Sequence, residues 1–274
     1  MTPSKKRAVE AEAAAGKAKV RLAGIADLHC TKTAQGSLQP WFAHVNERAD
    51  VLMLCGDLTD HGLPDEARTL AKELTAAVRI PMVGVLGNHD YESGQQQEVE
   101  QILCDAGVHL LDGETFEAAG VGFAGVKGFA GGFDRRALEP WGEEIIKHFV
   151  RESIEEALKL GSALARLQMP KRVALLHYSP IRATVEGEPL EIFPFLGSSR
   201  LEEPLNRYPV SAIFHGHAHH GSPEGKTSRD TPVFNVSVRL LQQRFADQPP
   251  YRVVDLPLDP PLDSKKGQGP GDQL

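Results

Sequence analysis

The stretch Leu22-Ala-Gly-Ile-Ala-Asp-Leu-His-Cys30 decides the fold, because a short apolar run ends there in two side chains that can bind a metal ion. A run of this length and composition is typical of a buried strand. Asp27 and His29 follow the run with one residue between them. In an extended backbone alternate side chains share a face, so this spacing predicts that both reach the same metal ion.

Four further apolar runs along the chain end in the same way. They lead into Gly56-Asp57, into Gly87-Asn88-His89-Asp90, into His177 and into Gly216-His217-Ala218-His219. Ligand sites in an α/β sheet gather at the carboxyl ends of the strands, so we expect these polar side chains to meet at one place. The glycines that precede Asp57, Asn88 and His217 are expected to let the backbone turn beside the site with no side chain in the way.

The side-chain types indicate which ions would bind. Mixed carboxylate, imidazole and amide ligands suit Mn, Fe or Zn better than Mg or Ca, which prefer shells made of oxygen. A pair of such cations roughly 3.5–4 Å apart can activate a shared hydroxide and neutralise a phosphoryl group during in-line displacement. The pair needs a bridging anion, and an aspartate at a strand end is short enough to be held rigidly. The pattern therefore predicts two divalent metal ions.

The rest of the chain indicates an α/β arrangement, because short apolar runs alternate with helical patterns. Helices are expected over residues 63–78 and 143–167, with Gly161 weakening the second and Pro170 closing it. The expected strands are residues 20–26, 51–54, 82–86, 108–111, 116–125, 172–176, 212–214, 233–238 and 251–255.

Composition limits the partners and the location. A formal net charge of −7 disfavours, without excluding, a nucleic-acid partner, because coating the phosphate backbone needs dense Lys and Arg. The chain has no apolar run long enough to cross a membrane, so no membrane partner is expected. Its three cysteines are widely spaced, which predicts a reducing, cytoplasmic setting. Residues 1–18 are predicted to be a flexible leader and residues 257–274 a disordered tail.

Taken in order, the five blocks resemble the calcineurin-like metallophosphoesterase superfamily, with its D-x-H, GD, GNH[D/E], H and GHxH pattern. The resemblance spans residues 27 to 219 and implies a four-layer αββα sandwich, two mixed β-sheets flanked by helices, over residues 19–256. It also implies which side chains bind each metal ion. The first ion would be held by Asp27, His29, Asp57 and His219, and the second by Asp57, Asn88, His177 and His217, with Asp57 bridging.

The same resemblance gives a catalytic role to His89, which is not one of the implied ligands. In such enzymes the histidine of GNH[D/E] protonates the leaving group or steadies the transition state, and imidazole exchanges protons near neutral pH. Asp90 is expected to orient it. His215 and His220 flank the GHxH block and are expected at most beside the metal ions.

The compact length and the GNHD form resemble the small cyclic-nucleotide phosphodiesterases of the superfamily. The leading hypothesis is therefore a phosphodiesterase that acts on a small phosphate ester such as a cyclic nucleotide. A phosphomonoesterase, a pyrophosphatase or a single-strand nuclease on the same metal site is the first alternative. A non-catalytic, metal-binding interaction module is the second. The sequence leaves the oligomeric state open.

Two segments outside the blocks remain open. Residues 184–199 carry two prolines and two phenylalanines with little periodicity, so this loop either overhangs the site or is an ordinary packed surface excursion. The Gly-rich segment 128–132 does not fit a phosphate-binding loop motif and is expected to be a plain loop or hairpin. Arg182 is expected to be a solvated surface side chain rather than a phosphate clamp.

Overall fold

A computed structural model describes residues 19–258 of the chain. The predicted leader lies outside these residues, and so does the predicted tail from residue 259 onward. The last strand runs through Pro257, one residue beyond the predicted domain boundary. Within the described range, none of the helices combines the length and the apolar character needed to cross a membrane.

The strands form two mixed sheets. The first contains β1 (Lys19–Ile25), β2 (Val51–Cys55), β3 (Met82–Val85), β4 (Val108–Leu110) and β11 (Arg252–Pro257). The second contains β5 (Thr115–Ala118), β6 (Val121–Gly125), β7 (Arg172–Leu175), β8 (Ala212–His215), β9 (Glu224–Lys226) and β10 (Pro232–Asn235). The first has the order β11-β1-β2-β3-β4, parallel except for the edge strand β11, and the second has the order β5-β6-β7-β8-β10-β9, parallel except for its two edge strands.

Seven α-helices accompany the two sheets in the described part of the chain. They are α1 (Gln39–Arg48), α2 (Pro64–Ala77), α3 (Gln96–Asp105), α4 (Glu144–Arg166), α5 (Phe193–Leu196), α6 (Glu202–Arg207) and α7 (Val238–Arg244). Buried side chains of α1, α2 and α3 share a core with one face of the first sheet, for example Phe42 with Leu52. Those of α4 and α6 share a second core with the second sheet, for example Leu160 with Ala174.

The strand period of two residues explains the four layers. In β2, Leu52 and Leu54 point into the core under the helices, whereas Val51 and Met53 point into a third core between the sheets. The second sheet fills the same central core from its own side, with Phe123 and Phe214. Strands buried on both faces read as continuous apolar runs, and this is what the sequence showed. The αββα sandwich is confirmed.

Three details of the strands differ from the sequence-based expectations. Residues 116–125 are not one strand, because Ala119 and Gly120 adopt φ of 51° and 81° and turn the chain into the β5–β6 hairpin. Strand β10 ends at Asn235, whose side chain donates to the Ala218 carbonyl, and Val238 begins a helix instead. The exposed edge strand β9 has no apolar residues and was not predicted.

Gly161 was expected to weaken the long helix, but α4 continues through it. A Cβ atom at this position would lie 3.4 Å from Pro204, at the beginning of α6. The glycine therefore marks a close approach between two helices rather than a break. As expected, Pro170 lies just beyond the end of the helix.

Candidate metal centre

The carboxyl ends of β1, β2 and β3 in one sheet and of β7 and β8 in the other converge on one cluster of polar side chains. Backbone hydrogen bonds join neighbouring strand ends, including Asp27 N–H to the Gly56 carbonyl at 3.0 Å and Gly216 N–H to the His177 carbonyl at 3.2 Å. The two sheets meet there as well, because the His217 N–H donates to the Asp27 carboxylate at 3.1 Å. All the predicted site residues lie in this cluster.

Three overlapping groups of these side chains bring their ligand atoms within 4.8 Å of one another, close enough to hold a metal ion. The groups are Asp27, His29 and His219; His29, Asp57 and His89; and Asp57, His177 and His217. The Nε2 atom of His219 lies 3.4 Å from Asp27 Oδ1, and His177 Nε2 lies 3.3 Å from Asp57 Oδ1. The Asn88 Oδ1 atom completes the third group, 2.9 Å from His177 Nε2.

The residues present fit divalent metal ions. The Nε2 atoms of His29 and His219 are buried and have no hydrogen-bond partner among the described residues. Leaving buried polar atoms unpaired costs about 1–3 kcal/mol each, so such atoms at the centre of a carboxylate and imidazole cluster call for a ligand. A metal ion supplies one, since neutral imidazole nitrogen is among its commonest ligands.

The backbone at the cluster is left-handed at several predicted ligands. Asp27, His29, Asp57 and His217 have φ of 58°, 42°, 49° and 69°. Non-glycine residues in this region cost of order 1–3 kcal/mol each and concentrate at functional sites. The segment from Asp27 to His29 is therefore not extended, contrary to the reasoning from the sequence. Its two side chains still reach the same group, because successive left-handed turns, and not strand alternation, direct them there.

Two glycines leave room for the ligand side chains, as predicted. A Cβ atom on Gly56, which has φ of 85°, would lie 2.4 Å from His177 Nδ1. A Cβ atom on Gly87 would lie 2.2 Å from Asp57 Oδ1 and 2.3 Å from the Asp57 backbone nitrogen. Real Cβ atoms do not approach other atoms this closely, so a larger residue displaces Asp57.

We expect Gly87→Ala to lower the affinity for metal ions at least tenfold and to lower the free energy of unfolding by about 1–3 kcal/mol, as overpacking does. Isothermal titration with Mn²⁺ and urea unfolding measure the two effects. Gly161→Ala is the control, because its Cβ atom meets ordinary contact distance and alanine favours a helix. Metal affinity equal to wild type in Gly87→Ala would contradict the steric role.

Two buried side chains of the cluster, the acid Asp57 and the base His177, shift each other's pKa. Burial alone would lower the pKa of His177, but the charge of Asp57 and its hydrogen bond outweigh burial and raise the pKa to about 9. Burial alone would raise the pKa of Asp57, but the charge and hydrogen bond of His177 hold that pKa below its usual range. Both ring nitrogens of His177 face acceptors, the Cys55 carbonyl and the Asn88 and Asp57 oxygens. Metal binding here must therefore displace a proton.

Two histidines of the cluster, His29 and His217, differ from His177 in the direction of their pKa shift. Burial, followed by the charge of His177, lowers the pKa of His217 to about 4. Burial also lowers the pKa of His29, against the opposing charge of Asp57. Both rings are therefore neutral at physiological pH, which is the form that binds metal. The His217 Nε2–H donates to the Phe195 carbonyl at 3.1 Å, so Nδ1 is the nitrogen left to face the cluster.

His89 is held by the loop that follows Asp57. Its Nδ1–H donates to the Asp60 carbonyl at 2.7 Å, and the Glu92 carboxylate lies 3.6 Å from the same nitrogen. The Asp90 carboxylate does not take the orienting role expected of it. It accepts instead from the backbone N–H groups of Gly87 and Thr59 at 2.8 Å, and so joins the loops that follow β2 and β3.

The flanking histidines lie outside the cluster's ligand groups. His215 is buried, with Nδ1 at 2.8 Å from the Gly216 carbonyl and Nε2 at 2.8 Å from the Thr184 hydroxyl. The His220 backbone N–H donates to Glu188. Arg182 is exposed and lies 3.6 Å from Glu186 on the surface, in line with the solvated role expected of it.

Sequence reasoning missed two residues at the cluster. The Asp60 carboxylate lies 3.4 Å from His29 Nδ1, and the Lys127 carbonyl accepts from the His177 N–H at 3.0 Å. Lys127 also lies over the rings of Tyr91, Phe129 and Tyr178 at 4.9–5.5 Å. The signal for Asp60 was available, since it follows Asp57 within the same loop. The Gly-rich segment is a loop whose backbone N–H groups donate to other parts of the protein. The Gly128 N–H, for example, donates to the Glu156 carboxylate.

A family model for calcineurin-like phosphoesterases matches residues 20–221 of this chain. The chain belongs to the calcineurin-like phosphoesterase family. It is therefore a metal-dependent phosphoester hydrolase, and the family uses divalent metal ions. No curated protein sequence matches the chain.

Among solved structures, this calcineurin-like phosphoesterase is similar to phosphopantetheinyl hydrolase from Mycobacterium tuberculosis. The identity is 16%, the TM-score is 0.61, and the match covers 93% of this chain and 99% of the other. It is also similar to the protein TT1561 of Thermus thermophilus, with 14% identity, a TM-score of 0.49, and coverage of 80% and 89%. At this identity the first likeness confirms the fold.

Proposed function

We propose that this chain is a phosphodiesterase that uses two divalent metal ions, Mn, Fe or Zn. The supporting observation is the position of Asp57 between two ligand groups. Its Oδ2 atom lies 3.9 Å from His29 Nε2, and its Oδ1 atom lies 3.3 Å from His177 Nε2. A carboxylate with one oxygen toward each group is placed to bridge two ions.

The arrangement supports the ligand sets that the family resemblance implies. The first ion would be held by Asp27, His29, Asp57 and His219, and the second by Asp57, Asn88, His177 and His217. When bound, the ions supply an activated water and neutralise the charge of the phosphoryl group. The His29 Nδ1 atom faces Asp60, and the His217 Nε2–H is taken by the Phe195 carbonyl. These contacts fix which ring nitrogen is free for metal, a common arrangement around metal-binding histidines.

His89 donates a proton to the leaving group. Because its Nδ1–H is held by the Asp60 carbonyl, the doubly protonated ring has one free proton, on Nε2. Hydrolysis forms a bond between the water oxygen and phosphorus and breaks the bond to the leaving oxygen, which takes that proton. The Asp60 carbonyl and the Glu92 carboxylate keep the ring in position through contacts with Nδ1.

The charge around the centre favours a diester over a monoester. The carboxylates of Asp60 and Glu92 lie within 4 Å of His29 and His89, at the edge of the cluster. A diester carries a single negative charge and is repelled by these acids less than the dianion of a monoester. A cyclic nucleotide is the compact reference substrate for this activity.

A substrate panel tests the proposal. The purified chain, loaded in turn with Mn²⁺, Zn²⁺ and Fe²⁺, is assayed on bis-(p-nitrophenyl) phosphate, p-nitrophenyl phosphate, cyclic AMP and single-stranded DNA. A phosphopantetheinyl ester joins the panel, since the similar M. tuberculosis protein is named as a phosphopantetheinyl hydrolase. We expect the diesters to be hydrolysed faster than the monoester. Activity confined to p-nitrophenyl phosphate would replace the proposal with a phosphomonoesterase, and inactivity on every compound would favour a non-catalytic module.

The cysteines support a reducing, cytoplasmic setting as part of this proposal. Cys30, Cys55 and Cys104 are all free thiols. Burial raises the pKa of Cys30 to about 12, so its thiol is protonated and unreactive beside the centre.

A further inference from the structure

Large apolar side chains are exposed on two segments, one of which contacts the metal centre through the Phe195 carbonyl. On the segment that includes α5, Leu190 is 67% and Phe195 57% exposed, and before α4 Trp141 is 69% exposed. Exposed apolar side chains gathered at one place mark binding sites in soluble proteins. We use the name apolar rim for this set: Trp141, Ile145, Ile146, Leu190, Ile192 and Phe195.

The two segments are joined to each other. The Pro194 carbonyl, beside Phe195, accepts from the Gly131 N–H at 2.7 Å. The Gly131 carbonyl in turn accepts from the Leu138 N–H at 2.7 Å, three residues before Trp141. The segments that carry both halves of the rim are therefore held together by the Gly-rich loop.

The rim is also continuous with the metal centre. The Phe195 carbonyl holds the Nε2–H of His217 at 3.1 Å. On the other side, aromatic rings lead outward from His217 through Tyr178 at 4.5 Å and Phe129 at 5.9 Å to Phe149 on α4, at 5.0 Å. The turn of α4 that precedes Phe149 carries the exposed Ile145. A molecule on the rim is therefore placed to be part of the same substrate as the phosphate at the centre.

The charged side chains beside the apolar rim limit the class of molecule that can bind there. Glu186, Glu188 and Glu191 alternate with the apolar residues of the α5 segment, and Glu143 and Glu144 adjoin Ile145. Glu186 is paired with Arg182 and Glu144 with Lys147, each at 3.6 Å, so these segments present no excess of basic side chains that would attract nucleic acid or an anionic lipid surface. The rim is therefore suited to bind an uncharged apolar group.

We propose that the apolar rim binds an alkyl or aryl arm esterified to the phosphate at the metal centre. The inference rests on the proposed phosphodiesterase function and narrows its substrate class. The chain hydrolyses diesters with one apolar arm faster than compact diesters such as a cyclic nucleotide.

A homologous series of alkyl p-nitrophenyl phosphates, from methyl to hexyl, tests this with the Mn²⁺-loaded chain. The leaving group is the same throughout, so kcat/KM reports binding of the arm. A fully buried methylene is worth about fourfold, and the rim is open on one side, so we expect about twofold per methylene and roughly 30-fold from methyl to hexyl. All compounds are used below their critical micelle concentrations.

Two leucines of nearly equal exposure give matched variants. Leu190→Ser removes a rim side chain, whereas Leu158→Ser removes one that is 64% exposed elsewhere on α4. We expect the hexyl-to-methyl ratio of kcat/KM to fall several-fold in Leu190→Ser and further in Leu190→Ser/Phe195→Ser, and to stay at the wild-type value in Leu158→Ser. Circular dichroism confirms that each variant is folded.

The outcomes separate this inference from the function on which it rests. If the whole series is hydrolysed at one rate, the rim does not bind the arm, but the phosphodiesterase proposal stands. If no diester is hydrolysed, the proposed function itself is wrong. A dimer in sedimentation that dissociates in Leu190→Ser would also overturn the inference, since the rim would then bind a second copy of the chain.

Discussion

Asp57→Asn is expected to lower kcat/KM for bis-(p-nitrophenyl) phosphate by about 10³-fold or more, at the upper end of what one electrostatic group at a reacting centre contributes. The substitution keeps the shape of the side chain, and asparagine tolerates the φ of 49° as aspartate does. The amide oxygen can still accept from the His89 N–H, which lies 2.8 Å away. What is lost is the charge between the two ligand groups. Steady-state kinetics with saturating Mn²⁺ measure the effect.

Asp230→Asn is the matched control for this variant. Asp230 is another aspartate with left-handed backbone, φ of 63°, but its side chain is exposed and near Lys226. It should retain wild-type activity and metal content. Elemental analysis of Asp57→Asn should show fewer than two metal ions per chain. Wild-type turnover with both ions bound would rule out a bridging role for Asp57.

His89→Ala is expected to slow turnover by roughly 10²–10⁴-fold, the range of general acid–base catalysis, while the metal content stays unchanged. The side chain belongs to one group with His29 and Asp57, but its Nδ1 is held by the Asp60 carbonyl. Removing it therefore removes a proton donor without removing a ligand. The loss should be smaller for substrates with good leaving groups, because p-nitrophenolate departs without protonation whereas an alkoxide does not.

His61→Ala controls for the loss of a histidine at the same edge. His61 also contacts the Asp60 and Glu92 carboxylates, at 3.3 Å and 3.4 Å, but it is exposed and outside the ligand groups. We expect it to keep wild-type kcat/KM. Loss of a metal ion from His89→Ala, measured by elemental analysis, would instead make His89 a ligand.

The backbone conformation of the metal centre is energetically unfavourable at several residues. Four predicted ligands have left-handed φ, and the Nε2 atoms of His29 and His219 are buried without hydrogen bonds to the described residues. Such features persist where the surrounding structure enforces them. Here the β-strands and the close packing of Gly56 and Gly87 against ligand side chains do so. The fold therefore enforces the geometry of the cluster.

Much of the site could be predicted from the sequence, because the seven predicted ligands follow directly after five apolar runs. Asp57 comes two residues after Cys55, at the end of β2, and His177 comes two after Leu175, at the end of β7. Strands of this kind end at one edge of a sheet, so residue type and position sufficed to place the side chains together. The hairpin at Ala119-Gly120 was missed because alanine there gives no turn signal of its own.

The sequence by itself determined the α/β class and the side chains that converge at the strand ends, since both follow from local patterns of apolar and polar residues, whereas the four layers were implied by the family resemblance. Only the tertiary structure decided how those side chains are oriented. The Phe195 carbonyl that fixes the His217 ring comes from a segment 22 residues away, and the Asp27 carboxylate that accepts from the His217 N–H is 190 residues away. The apolar rim likewise exists because the Gly-rich loop joins two distant segments. Contacts between such distant residues depend on how the sheets pack, and no local pattern encodes them.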